Sequence, residues 1–439
     1  MREGGQVIVH ISAPATIQKI DPDIRRTARQ GAIEKPYRNT RATIPTWGTE
    51  NFERLSSGLN QHVGRCAEAR KAPLTEPQRS CQPDQPECLS APPCPGGQRF
   101  PPFQRWSDER VDPKLSLIIP FHDVELFLAD CLNSVASQEF EDCEVLLIDD
   151  GSTDGSREIA EDYAGKDARF QLVRQDNRGP GAARNRGAEQ ARGQYIAFVD
   201  ADDMVTADAY VRLVGALEES GSDIACGGVQ RFDSVRRWPS PLHEGVFDEP
   251  LRGTHITRRT ALLKDRTVWN KVYRHSFWRR RGLAYPEHPY EDGLVAVSSH
   301  VLADAVDLLS GTVYFWRQRD KGPLSITQRT LDLGNLDGRM KQVRTVSAFL
   351  RDRDTNLKDA YDLAALQHDV LILLMTVPHL APVHRGRILS FAQEFSARAS
   401  GDVLRELDQD HREIYSLLWN RQTKDLLHLL ERRRPEAML

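Results

Sequence analysis

The stretch that decides the fold of this chain is Tyr195-Ile-Ala-Phe-Val-Asp200-Ala-Asp202-Asp203, an apolar run that ends in three carboxylates. Such a run is typical of a strand that is buried on both faces of a parallel sheet. Carboxylates are costly to cluster because like charges raise each other's pKa values, and a hard divalent cation such as Mg²⁺ or Mn²⁺ offsets that cost. Taken alone, D-x-D after a strand also fits a solvated turn or a helix N-cap.

Before this run, the chain alternates between short apolar strands and amphipathic helices. We expect Pro120 to end the first strand and Asp123 to cap the first helix. Alternating strands and helices predict right-handed βαβ units, and therefore an α/β fold with a mostly parallel sheet flanked by helices. The predicted strands are 115–119, 144–148, 170–174, 194–199 and 223–226.

Composition divides the 439 residues into three predicted regions. Nine of the 25 prolines lie between Pro73 and Pro102, so residues 1–110 are predicted to be a disordered, proline-rich extension. Residues 111–330 are predicted to form the α/β domain. Residues 331–439 are predicted to hold three to five packed helices, because apolar residues recur there with helical spacing.

Charge and hydropathy limit the class of protein. The net charge of −4 gives no general basic surface, so nucleic acid is not an expected partner. No stretch reaches the roughly 20 apolar residues of a membrane span, and the run 370–375 reads as a buried helix. The N-terminus lacks a secretion signal. We therefore expect a cytoplasmic protein with at most peripheral membrane contact.

Two further motifs follow predicted strands. Pro120-Phe-His122-Asp123 follows the first strand, and Asp149-Asp150-Gly-Ser-Thr-Asp follows the second. In a parallel sheet both lie at the same edge as Asp200 to Asp203, where ligands bind. A carboxylate can accept hydrogen bonds from a uracil N3–H or from ribose hydroxyls, so Asp149 and Asp150 are candidate nucleotide contacts. The alternative is a turn that caps the next helix.

Arg184 lies near the start of a predicted helix, in Asn177-Arg-Gly-Pro-Gly-Ala-Ala-Arg184-Asn-Arg-Gly187. Helix N-termini and arginine forks both suit phosphate, although an exposed arginine at a helix start explains the pattern equally well. Arg317 and Arg319 follow another apolar run. With residues 325–327 they could close over a diphosphate, or they could belong to an edge strand.

Glu291 and Asp292 open a later predicted helix within Pro289-Tyr-Glu-Asp-Gly293. Acidic residues are common in the first turn of a helix because they interact favourably with the helix dipole. The alternative is that Asp292 is a general base, which a sugar transfer with inversion requires to take the proton of the acceptor hydroxyl.

Together these motifs resemble the family-2 glycosyltransferases of the GT-A fold, over about residues 114–327. In order, the motifs are I-I-P, D-D-G-S-T-D, N-x-G-x-x-x-A-R-N-x-G, F-V-D-A-D-D, W-N-K-V-Y-R, Y-E-D and S-I-T. The resemblance implies an inverting, metal-dependent transferase that uses a nucleotide-diphosphate sugar, with a UDP-sugar favoured and Mn²⁺ or Mg²⁺ as the cofactor.

The same resemblance implies roles for individual residues. Asp292 would be the catalytic base, supported by Glu291, and Asp202 would be the direct metal ligand together with Asp200. His122 and Asp123 replace the usual Tyr-Asn of the family, which puts the aromatic stack on the nucleobase in question. The implied donor-binding residues are Pro120, His122, Asp123, Asp149, Asp150, Arg184, Asp200 and Ala201.

The processive Q-x-x-R-W motif is absent from the sequence, so transfer of a single sugar is expected. The acceptor would be a glycan, a lipid-linked glycan or a small molecule. One alternative is an inactive nucleotide-sugar-binding or scaffold protein on the same fold. A nucleotidyltransferase is a second alternative, but Phe121-His-Asp-Val-Glu125 lacks the glycine and the basic residue that such enzymes carry after the first strand.

Overall fold

The structure is a computed structural model that describes residues 112–288 and 290–432. These residues form a ten-stranded sheet flanked by helices, followed by a helical region. The expected α/β fold with a C-terminal helical region is therefore confirmed. The predicted disordered extension, residues 1–110, lies outside the described residues.

The strands and helices, in chain order, have the following bounds. The strands are β1 (Leu115–Phe121), β2 (Cys143–Asp149), β3 (Phe170–Arg174), β4 (Tyr195–Phe198), β5 (Met204–Val205), β6 (Ile224–Phe232), β7 (Arg237–Pro239), β8 (Leu251–Thr254), β9 (Lys271–Arg274) and β10 (Val306–Arg317). The helices are α1 (Glu125–Ala136), α2 (Ser156–Lys166), α3 (Pro180–Gln190), α4 (Ala209–Ser220), α5 (His275–Arg280), α6 (Asp292–Leu302), α7 (Leu333–Arg351), α8 (Thr355–Gln367), α9 (Asp369–Thr376), α10 (Pro382–Arg398), α11 (Gly401–Glu406), α12 (Gln409–Trp419) and α13 (Thr423–Glu431).

The sheet has the order β3-β2-β1-β4-β9-β6-β10-β5, with β7 paired to β6 and β8 paired to β10. The first four strands are parallel, as expected from the alternation of strands and helices. Beyond them the sheet is mixed, because β9 lies antiparallel between β4 and β6. The regular alternation ends at β4, because β5 follows it without a helix between them, and the later strands are not joined by a helix at every step.

Pro120 lies inside β1 and does not end it, which corrects the sequence prediction. Alternate residues of a strand direct their backbone groups to the same neighbour, so Pro120 faces the same side as Ile118. The Ile118 carbonyl accepts a hydrogen bond from Val199 on the β4 side, just after β4 ends at Phe198. The missing N–H of Pro120 therefore faces a position where no strand continues, and no ladder bond is lost.

Asp123 is not the cap of the first helix, which begins at Glu125 with Val124 at the N-cap. The backbone of Asp123 is in the left-handed region, with φ of 49°. Its Oδ1 accepts a hydrogen bond from the backbone N–H of Thr153 at 2.8 Å, in the loop that follows β2. Asp123 therefore joins the loops after β1 and β2 and does not start α1.

Helix α3 lies directly on strand β1, and Gly187 makes this possible. A Cβ atom at residue 187 would lie 2.3 Å from Cγ2 of Ile118, a buried residue of β1. Only a residue without a side chain allows this approach. Gly187 thus fixes the distance of α3 from the sheet, and with it the position of Arg184.

The described part of the helical region contains seven α-helices, more than the three to five expected. Short breaks that carry capping residues divide it, for example at Asp332, Asp354 and Asp408, whose side chains accept from the first-turn N–H groups. One described segment, Thr355–His379, has the length and hydropathy of a membrane span, but 67% of its window is buried inside the protein. It spans α8 and α9, and the predicted buried helix at 370–375 is confirmed within α9.

Candidate active site

The loops after β1, β2 and β4 meet at one edge of the sheet, because these strands are parallel neighbours. This edge carries the three motifs that the sequence placed there. Two further segments reach the same place: the start of α6, with Glu291 and Asp292, and the end of β10, with Arg317 and Arg319. With Arg184 from the start of α3, the site is built from six segments of the chain.

The three carboxylates after β4 have different environments. Asp203 is fully buried and accepts hydrogen bonds from the Tyr314 hydroxyl at 2.8 Å and from the Arg317 backbone N–H at 2.7 Å. The side chains of Asp200 and Asp202 keep 28% and 17% of their exposure. Asp203 thus fastens the turn to β10, while the side chains of Asp200 and Asp202 stay partly open to solvent.

Negative charge is concentrated in this turn. Burial raises the pKa of Asp202, and Asp200 adds to the effect while Arg319 opposes it. Burial also raises the pKa of Asp203 well above its usual range, with Asp202 and Asp200 as further causes. A cation bound here would relieve this repulsion.

Arginine side chains already engage the turn. The Nε and Nη2 atoms of Arg319 lie 2.8 Å and 2.7 Å from Oδ2 of Asp202. Nε of Arg317 donates to the backbone carbonyl of Asp202 at 2.5 Å. Since β10 pairs with β6, β5 and β8, it is not an edge strand. Whether Arg317 and Arg319 also contact a diphosphate stays a prediction.

The residues at the turn fit a divalent cation by their chemistry. Carboxylate oxygens are the ligands that Mg²⁺ and Mn²⁺ prefer. Arg184 holds one oxygen of Asp200 and Arg319 holds one oxygen of Asp202, so the second oxygen of each carboxylate lies outside these ion pairs. A cation at Asp202 would share that side chain with Arg319 or displace it.

A second group of residues also has ligand atoms close together. The side chains of Cys226, Asp265 and His300 are buried, and their ligand atoms lie within 4.8 Å of one another. However, Nζ of Lys271, from the W-N-K motif, lies 2.7 Å from Asp265. Although burial alone would raise it, Lys271 holds the pKa of Asp265 well below its usual range. The buried ammonium already balances this carboxylate, so the D-x-D turn is the better candidate for a metal.

Arg184 connects the D-x-D turn to the start of α6. Its side chain is 4% exposed and pairs with Asp200 at 2.6 Å, with Asp292 at 3.1 Å and with Glu291. The guanidinium also lies over the ring of Tyr285. These contacts with three carboxylates were not foreseen from the sequence, which suggested phosphate as the partner. Contact of Arg184 with a phosphate stays a prediction.

Asp292 is the first residue of α6, and 25% of its side chain is exposed. Its Oδ1 atom is buried and accepts no hydrogen bond from the described residues, although Nη1 of Arg184 lies 3.1 Å away. Burial raises the pKa of Asp292 to about 8, against the effect of Arg184. This combination is typical of a carboxylate that exchanges a proton near neutral pH.

Asp149 and Asp150 are buried and have partners within the chain. Asp149 accepts from the Ser152 backbone N–H at 2.8 Å and from Nε of Arg157 at 2.7 Å. Asp150 accepts from the backbone N–H groups of Arg178 at 2.9 Å and Gly179 at 2.8 Å. Both thus hold the loops at this edge of the sheet in place, and their contact with a nucleotide stays a prediction.

The remaining predicted donor-binding residues lie at the same edge. His122 is exposed, and its Nε2 atom lies 3.0 Å from Nδ2 of Asn177. Pro120 is buried in β1, and Ala201 is buried between the two carboxylates of the D-x-D turn. The structure therefore brings every predicted site residue to one edge of the sheet, although none of the predicted ligand contacts is tested by it.

Comparison with known proteins agrees with this architecture. Residues 116–283 match the family described as Glycosyl transferase family 2. This region is a family-2 glycosyltransferase domain of the GT-A fold. Asp292 and the helical region lie beyond the matched residues.

Among curated relatives, the chain is 35% identical over 226 residues to the uncharacterized glycosyltransferase EpsJ of Bacillus subtilis, covering 49% of this chain and 63% of EpsJ. It is 43% identical over 171 residues to the uncharacterized glycosyltransferase YibD of Escherichia coli, covering 37% of this chain and 48% of YibD. The chain thus spans less than two thirds of the length of these relatives.

Among solved structures, residues 1–349 of TarS from Staphylococcus aureus, in complex with UDP-GlcNAc, share the fold. The TM-score is 0.58 at 19% sequence identity, and the match covers 72% of this chain and 90% of the TarS chain. At this identity the similarity concerns the fold alone.

Proposed function

We propose that the protein is an inverting glycosyltransferase that moves a single sugar from a nucleotide-diphosphate sugar to an acceptor hydroxyl. One observation carries this proposal: Arg184 joins Asp200 of the D-x-D turn to Asp292, whose buried Oδ1 accepts no hydrogen bond from the described residues. One guanidinium thus contacts both Asp200, which is proposed to help hold the donor, and Asp292, which is proposed to take the proton of the acceptor hydroxyl.

In the proposed reaction, the acceptor hydroxyl attacks the anomeric carbon of the donor sugar. The new bond forms between the acceptor oxygen and this carbon, and the bond from the carbon to the diphosphate oxygen breaks. The electron pair of that bond leaves with the nucleotide diphosphate, and the hydroxyl proton passes to Asp292. Attack on the face opposite the leaving group inverts the anomeric configuration.

Arg184 supports this step by favouring the ionised form of Asp292, which burial and the neighbouring carboxylates oppose. Glu291 is buried and paired with Arg184, so its proposed role is to hold the guanidinium in place, with no direct contact to the acceptor. The base is then ionised in an increasing fraction of molecules as the pH rises toward 8.

Asp202, together with Asp200, would hold a divalent cation, Mn²⁺ or Mg²⁺. Such a cation would supply positive charge to the diphosphate as it leaves. Arg319 and Arg317, which lie against the same turn, add two positive side chains at this position. Loss of the cation should therefore affect donor binding and turnover together.

The donor that we favour is a UDP-sugar, and UDP-GlcNAc is the first candidate because TarS binds it. For the acceptor, we propose a glycan, a lipid-linked glycan or a small molecule. We further propose that transfer takes place in the cytoplasm, with at most peripheral contact to a membrane.

Incubation of the protein with a panel of nucleotide sugars and Mn²⁺, followed by measurement of released nucleotide diphosphate, tests the proposal. Turnover that Asp292→Asn lowers by about 10²–10⁴-fold would support it, and NMR of the product would show whether the anomeric configuration is inverted. A protein that binds donor but releases no nucleotide diphosphate with any acceptor would instead be the inactive binding or scaffold protein considered above.

A further inference from the structure

Three polar side chains lie on one face of α7, at Asn335, Arg339 and Gln342, with the spacing i, i+4 and i+7. They are largely buried: Asn335 and Gln342 are 6% exposed, and the Arg339 side chain is 13% exposed. Buried positions at this spacing normally carry apolar residues, and burying polar groups is costly unless they have partners. The contacts of these three residues therefore indicate what this face of α7 does.

Arg339 holds Tyr290, two residues before Asp292. Its Nη2 atom donates to the Tyr290 hydroxyl at 3.2 Å, and the guanidinium stacks over the tyrosine ring at 4.7 Å. On its other side, Nη1 donates to Asp369 at 3.0 Å. The backbone of Tyr290 has φ of 62°, in the left-handed region that an aromatic residue rarely adopts without support.

Gln342 packs against the residue that follows Asp292. A Cβ atom at Gly293 would lie 1.7 Å from Nε2 of Gln342, so the amide lies directly on the backbone of the first turn of α6. Asp292 is thus bracketed by two residues that α7 contacts, Tyr290 before it and Gly293 after it.

Asn335 holds the segment that follows Arg319. Its Nδ2 atom donates to the carbonyl oxygens of Ile326 at 2.8 Å and Arg329 at 3.0 Å. Within this segment, Nε2 of Gln328 donates to the carbonyl of Arg319 at 2.8 Å. The same face of α7 therefore supports both the segment that carries Asp292 and the loop behind the arginine that binds Asp202.

We propose that α7 is a positioning element of the transferase site. Arg339 and Gln342 hold the segment 290–293 so that Asp292 stays beside Arg184, and Asn335 holds residues 326–329 behind Arg319. This proposal rests on the proposed function, in which Asp292 takes the acceptor proton. It gives the helical region, which lies beyond the family match, a role in the reaction.

The test compares Arg339→Gln with Arg344→Gln in the full-length protein. Arg344 is a matched control because it lies on the same helix, pairs with Glu394 at 3.0 Å and stacks over Phe391, away from the catalytic segment. The readouts are amide hydrogen exchange without donor, and kcat and donor KM for transfer.

For Arg339→Gln we expect amide exchange at residues 290–293 to be about tenfold faster. The reason is that the substitution removes a hydrogen bond from a charged group, which makes local opening of this segment easier. We also expect kcat to fall about tenfold with donor KM nearly unchanged, because a displaced base affects the chemical step and not donor binding. Arg339→Lys should recover part of kcat, since lysine keeps the pair with Asp369 but lacks the planar stack.

The proposal is overturned if Arg339→Gln and Arg344→Gln behave alike in exchange and in kcat, or if exchange rises uniformly through the sheet. If Arg339→Gln does not fold, Tyr290→Phe decides, because it removes only the hydroxyl that Arg339 contacts and must still speed exchange at 290–293. If the wild-type protein transfers no sugar, the proposed function fails, while the exchange comparison still decides whether α7 positions this segment.

Discussion

Arg319 binds Asp202 through two nitrogen atoms, with Nε at 2.8 Å and Nη2 at 2.7 Å from the same carboxylate oxygen. Both side chains are mostly buried, at 11% and 17% exposure. The central carboxylate of the D-x-D turn thus has a cationic partner from a segment more than one hundred residues away in the chain. This pair leads to the first two predictions.

Activity should require a divalent cation, and Asp202→Asn should remove most turnover and weaken donor binding. The reason is that a neutral amide is a poorer ligand than a carboxylate for Mg²⁺ or Mn²⁺. Initial rates with and without EDTA, together with donor titrations of Asp202→Asn, provide the measurement. Asp304→Asn, at an exposed carboxylate paired with Arg281, is the control. Full activity in EDTA would refute the metal assignment.

Arg319→Gln should increase the affinity of the donor-free protein for Mn²⁺ by about fivefold. In the native protein the cation competes with Arg319 for Asp202, and an ion pair of this kind contributes about 1 kcal/mol. Electron paramagnetic resonance of free Mn²⁺ measures this affinity without any turnover. An unchanged or weaker affinity would show that Arg319 does not compete with the cation.

Asp292→Asn should lower kcat by about 10²–10⁴-fold and leave donor affinity within about threefold of the wild type. The wild-type kcat/KM should rise with pH, reach half of its maximum near the pKa of Asp292, about 8, and level off above it, because only the ionised carboxylate accepts the proton. Steady-state kinetics over pH and donor titrations of the variant test both statements. A variant with near wild-type turnover would mean that another residue is the base.

The same carboxyl should make stability depend on pH. In the folded protein Asp292 keeps its proton up to about pH 8, whereas an unfolded aspartate loses it near pH 4. The folded state therefore binds more protons in between, and its stability falls as the pH rises through this range. Asparagine does not titrate and therefore lacks this effect. The difference between the Tm of Asp292→Asn and the Tm of the wild type should therefore increase from pH 5 to pH 8, roughly the interval between the two pKa values. A constant difference in Tm would contradict the raised pKa.

Gly187→Ala should lower the free energy of unfolding by about 1–3 kcal/mol, because its Cβ atom would overlap a β-branched side chain of β1 that cannot move aside. Gly165→Ala is the matched control, since it lies in α2 and a Cβ there has no atom within 4 Å. Alanine should there be neutral or stabilising, by up to about 1 kcal/mol. Equal effects of the two substitutions in thermal unfolding would show that α3 adjusts its height above the sheet.

The sequence by itself determined the first half of the sheet and the identity of the motifs. Strands β1 to β4 and the helices between them follow from local hydrophobic periodicity, which depends only on neighbouring residues. The convergence of Asp149, Asp200 and Asp202 on one edge follows as well, because parallel strands place their carboxyl ends together. The antiparallel insertion of β9 and the number of helices after residue 330 could not be read in this way.

Only the tertiary structure decided the partners of the charged residues. The contacts of Arg184 with Asp292 and of Arg319 with Asp202 join residues more than one hundred positions apart, so no local pattern indicates them. Arg339 and Tyr290 are 49 positions apart, and their contact depends on how α7 packs against α6. Local sequence specifies which groups are available. The packing of distant elements determines which charged groups meet and how far they are shielded from water. The neighbouring charges and the shielding from water together set the pKa values of the site, and with them its chemistry.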